Sequence, residues 1–289
     1  MPQDKFSATW VSHSSMRDFL QCPRAYFLNN VYRDPVTGHK IQLISPPLSL
    51  GQVVHEVLES LSVLPVEKRF IQSLVQTFDE KWKKVTGEKG GFFNDETEHR
   101  YQERGRQMLQ RVMKNPGPIE RLAVKIKQDL PFYWLSEPEN IILCGKIDWL
   151  EYFPDQDAVN IVDFKSGQKK EDAESLQLPI YLLLVNNVQK RKVIGASYWY
   201  LETDDAPVKQ VLPDASKAQE KILTIAKKIK LARQLNHFKC PNGPDGCFAC
   251  RPLEKVLKGE AMKVGESTYQ QDLYVLKDGS DDEDNSVII

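Results

Sequence analysis

Val159-Asn-Ile-Val-Asp163-Phe-Lys165-Ser-Gly167, taken with Gly145-Lys-Ile-Asp148 just upstream, decides the reading of this 289-residue chain. Both stretches have the character of short strands that end in polar residues. The segment between them, Phe153-Pro-Asp-Gln-Asp-Ala158, is rich in Pro and Asp and suits a hairpin loop. On a strand, Asp163 and Lys165 point to one face and Phe164 to the other. An antiparallel partner strand adds Asp148 beside them. Two carboxylates facing one point suit a hard divalent cation such as Mg²⁺ or Mn²⁺. Such an ion activates water and neutralises developing charge in phosphoryl chemistry. An adjacent lysine orients or deprotonates that water, or offsets charge on the phosphate. Asp-x-Lys alone equally describes a cross-strand ion pair on a solvated sheet face, so the flanking sequence has to discriminate.

Working outward, residues 49–62 predict a helix, with Val54, Leu58 and Leu61 at i, i+4 and i+7. His55 lies beside that stripe, one turn before Glu59, and Gly51 at i−4 permits close backbone approach. Residues 171–188 predict a second helix, whose Gln177 and Tyr181 share a face. Strands are expected over 121–134, 140–152, 159–165 and 192–203, and a Lys-rich helix over 214–235. This order gives an α/β core with a mixed sheet. Residues 66–118 read as a helical, charged insertion. Its Arg100, Arg104, Arg106, Arg111 and Lys114 describe either a solvated helix face or the lining of a nucleic-acid channel. Residues 11–32 read as an amphipathic helix capped by Ser12, Ser14 or Ser15.

These pieces together resemble the PD-(D/E)XK nuclease superfamily, and more narrowly its RecB/AddB-type nuclease domains and their CRISPR-associated iron–sulfur relatives. The resemblance rests on Asp148…Asp163-x-Lys165, Gly51-x-x-x-His55, Gly145-x-x-Asp148, Gln177-x-x-x-Tyr181 and the N-terminal Ser12…Cys22-Pro-Arg24-Ala-Tyr26, in that family's order. It implies a restriction-endonuclease-like α/β core with a mixed central sheet flanked by helices. It implies that His55, Asp148, Asp163 and the Phe164 carbonyl hold the metal. Lys165 would position or activate water, with Gln177 and Tyr181 supporting it, and Arg24 and Tyr26 would contact nucleic acid. One nuclease domain is expected over 1–275, with a catalytic core at 119–205 and an acidic disordered tail at 276–289.

Five cysteines are present, and three stand in Cys240-Pro-Asn-Gly-Pro-Asp-Gly-Cys247-Phe-Ala-Cys250. A Cys-x₂-Cys plus a third Cys on a Gly- and Pro-rich backbone reads as metal binding before disulfide. The resemblance supplies Cys22 as the fourth ligand and a [4Fe–4S] cluster as the group, an N-to-C staple joining Cys22 to residues 237–255. The spacing departs from the related nucleases, because the long gap comes first. Zinc on the same thiolates, or with His237 replacing Cys22, stays open. Cys144, among Ile141, Ile142 and Leu143, reads as a buried small hydrophobe.

Composition is that of a globular chain, 41% hydrophobic and 27% charged, with no run near the length of a membrane helix. No signal-peptide pattern opens the sequence, so the cytoplasm is the default location. The formal charge of −1 argues mildly against a nucleic-acid binder, although the acidic tail biases the balance. No phosphate-binding loop is present, so a helicase motor, or a CRISPR or repair partner, would act in trans. The expected function is a metal-dependent deoxyribonuclease working on DNA ends or single strands in repair, recombination or CRISPR-type processing. The rivals are a non-cleaving DNA-end-binding subunit of the same fold and a metal scaffold whose partner binds the tail.

Overall fold

The computed structural model describes residues 4–276, so the expected acidic tail beyond Leu276 lies outside the described residues. In chain order the elements are β1 (Thr9–Val11), α1 (His13–Gln21), α2 (Pro23–Tyr26), β2 (Lys40–Leu43) and α3 (Pro46–Ser60). There follow α4 (Leu74–Trp82), α5 (Asp95–Lys114), β3 (Phe132–Ser136), β4 (Ile141–Cys144), β5 (Trp149–Phe153) and β6 (Ala158–Lys165). The chain continues through α6 (Gln177–Val188), β7 (Lys192–Tyr200), β8 (Val208–Gln210), α7 (Ala215–Gln234), α8 (Arg251–Leu257), β9 (Ala261–Glu266) and β10 (Gln271–Leu276).

The central sheet has the order β5-β6-β7-β8 and is mixed. β5 and β6 form the expected hairpin, with Trp149 opposite Val162, while β6 runs parallel to β7 through the crossover helix α6. The expected strand over 140–152 is broken. β4 belongs to a separate sheet, β1-β4-β3, and the polar stretch 145–148 forms the joint between the two sheets. The strand expected over 121–134 is only Phe132–Ser136, and residues 122–124 touch β5 through a single bridge and two further hydrogen bonds. The alternation of Lys125 and Lys127 with Val124 and Ile126 mimics a strand, but among the described residues its pairing with β5 ends at Val124.

Alternation along β6 sorts the core. Val162 and Phe164 pack with Trp149, Trp199 and the helices α3, α4 and α5. Val159 and Ile161 face the opposite layer, built from α6, α7 and the β1-β4-β3 sheet. Asp163 and Lys165 continue this second face, so the strand period aims them at α6. The helical insertion is thus one wall of the core. Its arginines are mostly committed to it: Arg104 makes a bidentate pair with Glu202, Arg106 pairs with Asp79 at 2.9 Å and Arg111 with Asp205 at 2.8 Å. Those pairs favour the reading of a structural, partly solvated face over a nucleic-acid channel.

The N-terminal helix is not continuous. Ser12 and Ser15 form a capping box that starts α1. Pro23 lacks an N–H, and Cys22 takes an extended conformation between α1 and α2. This break turns the Cys22 side chain toward the C-terminal segment. There a third sheet, β2-β10-β9, which sequence reasoning did not foresee, packs on the cysteines through Ile41, Leu43, Ala261 and Tyr274. No helix among the described residues is long and apolar enough to cross a membrane.

Candidate active site and cysteine centre

Asp148 sits one residue before β5, and the hairpin register carries it opposite Asp163. Its Oδ2 accepts the Phe164 N–H at 2.9 Å, which fixes the carboxylate against the β6 backbone. α3 brings His55 to the same point, with Nδ1 3.4 Å from Asp148 Oδ1. The close approach depends on Gly51: a Cβ there would stand 3.0 Å from Ser166 Oγ, at the end of the Lys165 strand. Ligand atoms of His55, Glu59 and Asp148 all lie within 4.8 Å of one another. Glu59 therefore enters the site more firmly than its sequence position indicated, with Lys146 as its ion-pair partner.

Asp163 is 2% exposed. Its Oδ1 accepts a hydrogen bond from Gln177 Nε2 at 2.8 Å. Its Oδ2 is buried and meets the Lys165 ammonium at 3.0 Å, but receives no hydrogen bond of good geometry. Gln177 uses both ends of its amide. The N–H₂ donates to Asp163 and, at 3.2 Å, to Tyr181 Oη, while the carbonyl oxygen accepts from Lys165. The amide offers a donor to the carboxylate from one end and an acceptor to the ammonium from the other. The i, i+4 pair on α6 thus holds Asp163 and Lys165 in one geometry.

Glu171, in the loop before α6, escaped sequence reasoning. It pairs with Lys165 at 2.8 Å, and its backbone N–H donates to Tyr200 Oη at 2.9 Å. A lone glutamate in a charged loop carries no periodic signal, and only the chain's return over β6 and β7 delivers it. Lys165 also lies 4.9 Å from the centre of the Tyr198 ring.

The electrostatics follow from this crowding. Burial, then the charge of Asp148, pushes the Asp163 carboxyl up to about 7, against the pull of Lys165 and His55. Burial works to lower His55, yet the Asp148 carboxylate outweighs it and lifts the imidazole to about 9. Burial likewise opposes the Lys165 ammonium, but Asp163 and Glu171 raise it above the ordinary lysine range. The acids thus draw positive charge to this point, and the lysine stays protonated. Burial and the nearby carboxylates hold Tyr181 well above its usual range, as a neutral phenol.

A second centre lies at the far end of α1. Cys22, Cys240, Cys247 and Cys250 are buried, unpaired by disulfide, and place their sulfurs within 4.8 Å of one another. Cys247 Sγ and Cys250 Sγ are 3.8 Å apart. Gly246 is required here, since its φ is +73° and a Cβ would stand 3.0 Å from Cys250 Sγ. Burial pushes the Cys22 thiol up to about 12. At Cys247, hydrogen bonds from the Cys250 and Ala249 backbone overcome burial and bring the thiol to about 7. His237 is exposed and outside the group, and Cys22 is the fourth side chain in it. Cys144 is buried apart from it, 3.4 Å from the Val11 carbonyl oxygen.

The two residues expected to touch nucleic acid serve the fold. Tyr26 is 1% exposed, packs against Phe19 and Phe238, and its hydroxyl accepts from Arg233 at 3.3 Å. Arg24 pairs with Glu254 and donates to the Pro244 carbonyl at 3.0 Å, strapping α2 to the cysteine loop. The helix break at Cys22, unseen in the sequence, rotates both side chains away from the cleft.

A family model for the PD-(D/E)XK nuclease superfamily matches residues 10–252. The chain belongs to the PD-(D/E)XK nuclease superfamily. It is 23% identical over 205 residues to an ATP-dependent helicase/deoxyribonuclease subunit of Streptococcus pneumoniae. The exonuclease/helicase subunit RexB of a serotype 4 strain of the same organism matches at the same identity and length. Each alignment takes in 65% of this chain and 18% of the relative, so the chain spans less than a fifth of those proteins. An Eubacterium rectale protein solved by crystallography, provisionally named an exonuclease, aligns with a TM-score of 0.48 and 14% identity over 87% of this chain and 92% of that one. In this PD-(D/E)XK chain His55 meets Asp148 at 3.4 Å, and Lys165 meets the buried Asp163 at 3.0 Å.

Proposed function

We propose that the chain is a divalent-cation-dependent deoxyribonuclease that hydrolyses phosphodiester bonds at DNA ends or in single strands. The observation that carries this is His55 meeting Asp148 at 3.4 Å, with Asp163 opposite Asp148 in the hairpin register and Lys165 3.0 Å from Asp163. The donor set fits a hard cation: carboxylate oxygens with one imidazole, and a buried Asp163 oxygen that the protein leaves without a hydrogen bond. Mg²⁺ or Mn²⁺ bound by His55, Asp148, Asp163 and the Phe164 carbonyl would activate water and offset charge on the phosphate.

The chain's own residues prepare that reaction. Gln177 locks Asp163 and Lys165 together, so neither rotates when substrate enters. The Lys165 ammonium, protonated against Asp163 and Glu171, orients a water or a phosphate oxygen and stabilises negative charge in the transition state. Glu59 and Lys146 form the polar edge of the site next to His55.

The four thiols fit a thiophilic metal and act as the staple between the two ends of the domain. Zn–S bonds of about 2.3 Å put tetrahedral thiolates about 3.8 Å apart, the separation found between Cys247 and Cys250. One zinc ion and the [4Fe–4S] cluster that the resemblance implies both draw on these four thiolates, and metal analysis separates them. A partner helicase in trans, a repair or CRISPR-type pathway and a cytoplasmic setting complete the reading. The helicase partner draws support from the helicase/nuclease names of the relatives.

The test uses end-labelled single- and double-stranded DNA with Mg²⁺, Mn²⁺ or chelator, alongside iron and zinc analysis. Cation-dependent cutting by the wild type, lost in Asp163→Asn and Lys165→Ala while both variants keep the wild-type melting profile, is expected. Wild-type cutting by either variant would overturn the assignment. DNA binding with no cutting under any cation would establish the end-binding alternative.

A further inference from the structure

Two cavities flank the carboxylates. One, of about 980 Å³, lies between α3 and the β9–β10 hairpin and contains His55. The other, of about 770 Å³, lies under residues 123–131 and contains Asp148. Glu59, Lys146 and Tyr269 line both, so the cavities adjoin and form one trough, with His55 in one half and Asp148 in the other.

Tyr269 stands at that divide. It occupies the tip of the β9–β10 hairpin, beyond the family-matched residues 10–252, and is 84% exposed. The tip is a built turn. The Tyr269 N–H donates to Ser267 Oγ at 3.2 Å, the Gln270 N–H donates to the Ser267 carbonyl at 3.2 Å, and Gln270 takes φ +56°. β10 pairs in parallel with β2, only two residues upstream of α3, which anchors the hairpin to the helix that carries His55.

Charge on the trough walls separates into spent and unspent groups. Glu59 pairs with Lys146, Glu266 with Lys263 at 2.8 Å, and Glu56 with Lys81 at 3.9 Å. Lys84 and Lys89 line the first cavity, Lys125 and Lys127 the second, and among the described residues none of the four has an ion-pair partner. Among the acids that line the trough, only Asp129 lacks such a partner within the described residues. The uncommitted charge is therefore mostly positive at both ends, with an exposed aromatic ring in the middle. Lysines that track a backbone and an aromatic face that stacks bases are the two parts of a single-strand binding groove.

Resting on the nuclease reading above, we propose that the β9–β10 hairpin is a strand-guiding wall, with Tyr269 stacking an unpaired base beside the scissile phosphate. A duplex, its bases already stacked on one another, offers the ring no face. The hairpin thereby selects single-stranded DNA or a frayed end.

The test measures binding of labelled oligo(dT) and of a blunt duplex to the Asp163→Asn protein by fluorescence anisotropy, so it does not depend on cleavage. Tyr269→Ala weakens oligo(dT) binding by about tenfold, the range expected for one lost base–aromatic stack, and leaves duplex binding within about twofold. Tyr269→Phe restores it. Lys125→Gln with Lys127→Gln lowers the slope of log Kd against log salt by about 1.4, as for two lost phosphate contacts. Wild-type oligo(dT) binding by Tyr269→Ala overturns the proposal, and so does an equal loss on duplex or a Phe variant as weak as Ala. If the wild type never cuts DNA while the Tyr269 effects hold, the groove stands and the nuclease reading falls.

Discussion

Cys22→Ser tests the idea that a metal staple closes this domain. Cys22 and Cys240 enclose a loop of roughly 220 residues, and tying so long a loop removes about 5 kcal/mol of chain entropy from the unfolded state. A domain of this size unfolds with about 0.6 kcal/mol/K of entropy at its midpoint, from about 2.1 cal/mol/K per residue. The variant should therefore melt about 8 °C below the wild type. Calorimetry on anaerobically purified protein, paired with zinc and iron analysis, reads both halves. A chelator that strips the wild type should bring its midpoint down toward that of Cys22→Ser and move the variant much less. Cys144→Ser is the control, since that thiol is also buried but lies outside the cluster; it should retain its metal. A Cys22→Ser protein with wild-type metal content, melting within about 2 °C of the wild type, would refute the staple.

Three further outcomes follow from particular contacts. Gln177→Leu should cut DNA at least about 100-fold more slowly with KM little changed, because Asp163 and Lys165 lose their shared tether; single-turnover assays measure this, and a wild-type rate would show the tether to be idle. Arg69, only 4% exposed, donates to the carbonyls of Leu61, Leu64, Ile119 and Arg121 and lies 5.0 Å over Trp149, so Arg69→Ala should cost about 4 kcal/mol in urea unfolding. Asp272 is buried, and the bonds from Lys263, Thr37 and His39 hold its carboxyl down at about 2 despite burial. Its folded pKa lies below its unfolded value, so it contributes about 2 kcal/mol above pH 4 that is lost as pH falls toward 2. Asp272→Asn should be less stable than the wild type at pH 6 by that amount, and the gap should close between pH 4 and pH 2.

Much of the candidate site was legible because it is local. The strand period placed Asp163 and Lys165 on one face, and the helix period placed Gln177 with Tyr181. Gly51 marked a close approach that the structure finds at Ser166. What escaped was non-local or irregular. Glu171 reaches the site through a chain return that no periodicity records. The spacing over 11–32 reads as one helix, but Pro23 and the extended Cys22 break it into α1 and α2. The 140–152 run was read as one strand, yet 145–148 is a joint between sheets, and that joint is what frees Asp148 to face Asp163.

By itself the sequence determined the hairpin and helices around the site, the identity of the acids, lysine, histidine and cysteines, and the order in which they occur, because these depend on residue chemistry and short-range spacing. The tertiary structure decided which of them meet. Cys22 joins three cysteines more than 200 residues away. His55 reaches Asp148 across nearly 100 residues, and Tyr269 stands at the mouth of the site through a hairpin pinned to β2. Such contacts depend on how layers pack and where the chain returns. Packing is a property of the whole core, and no window along the chain contains it.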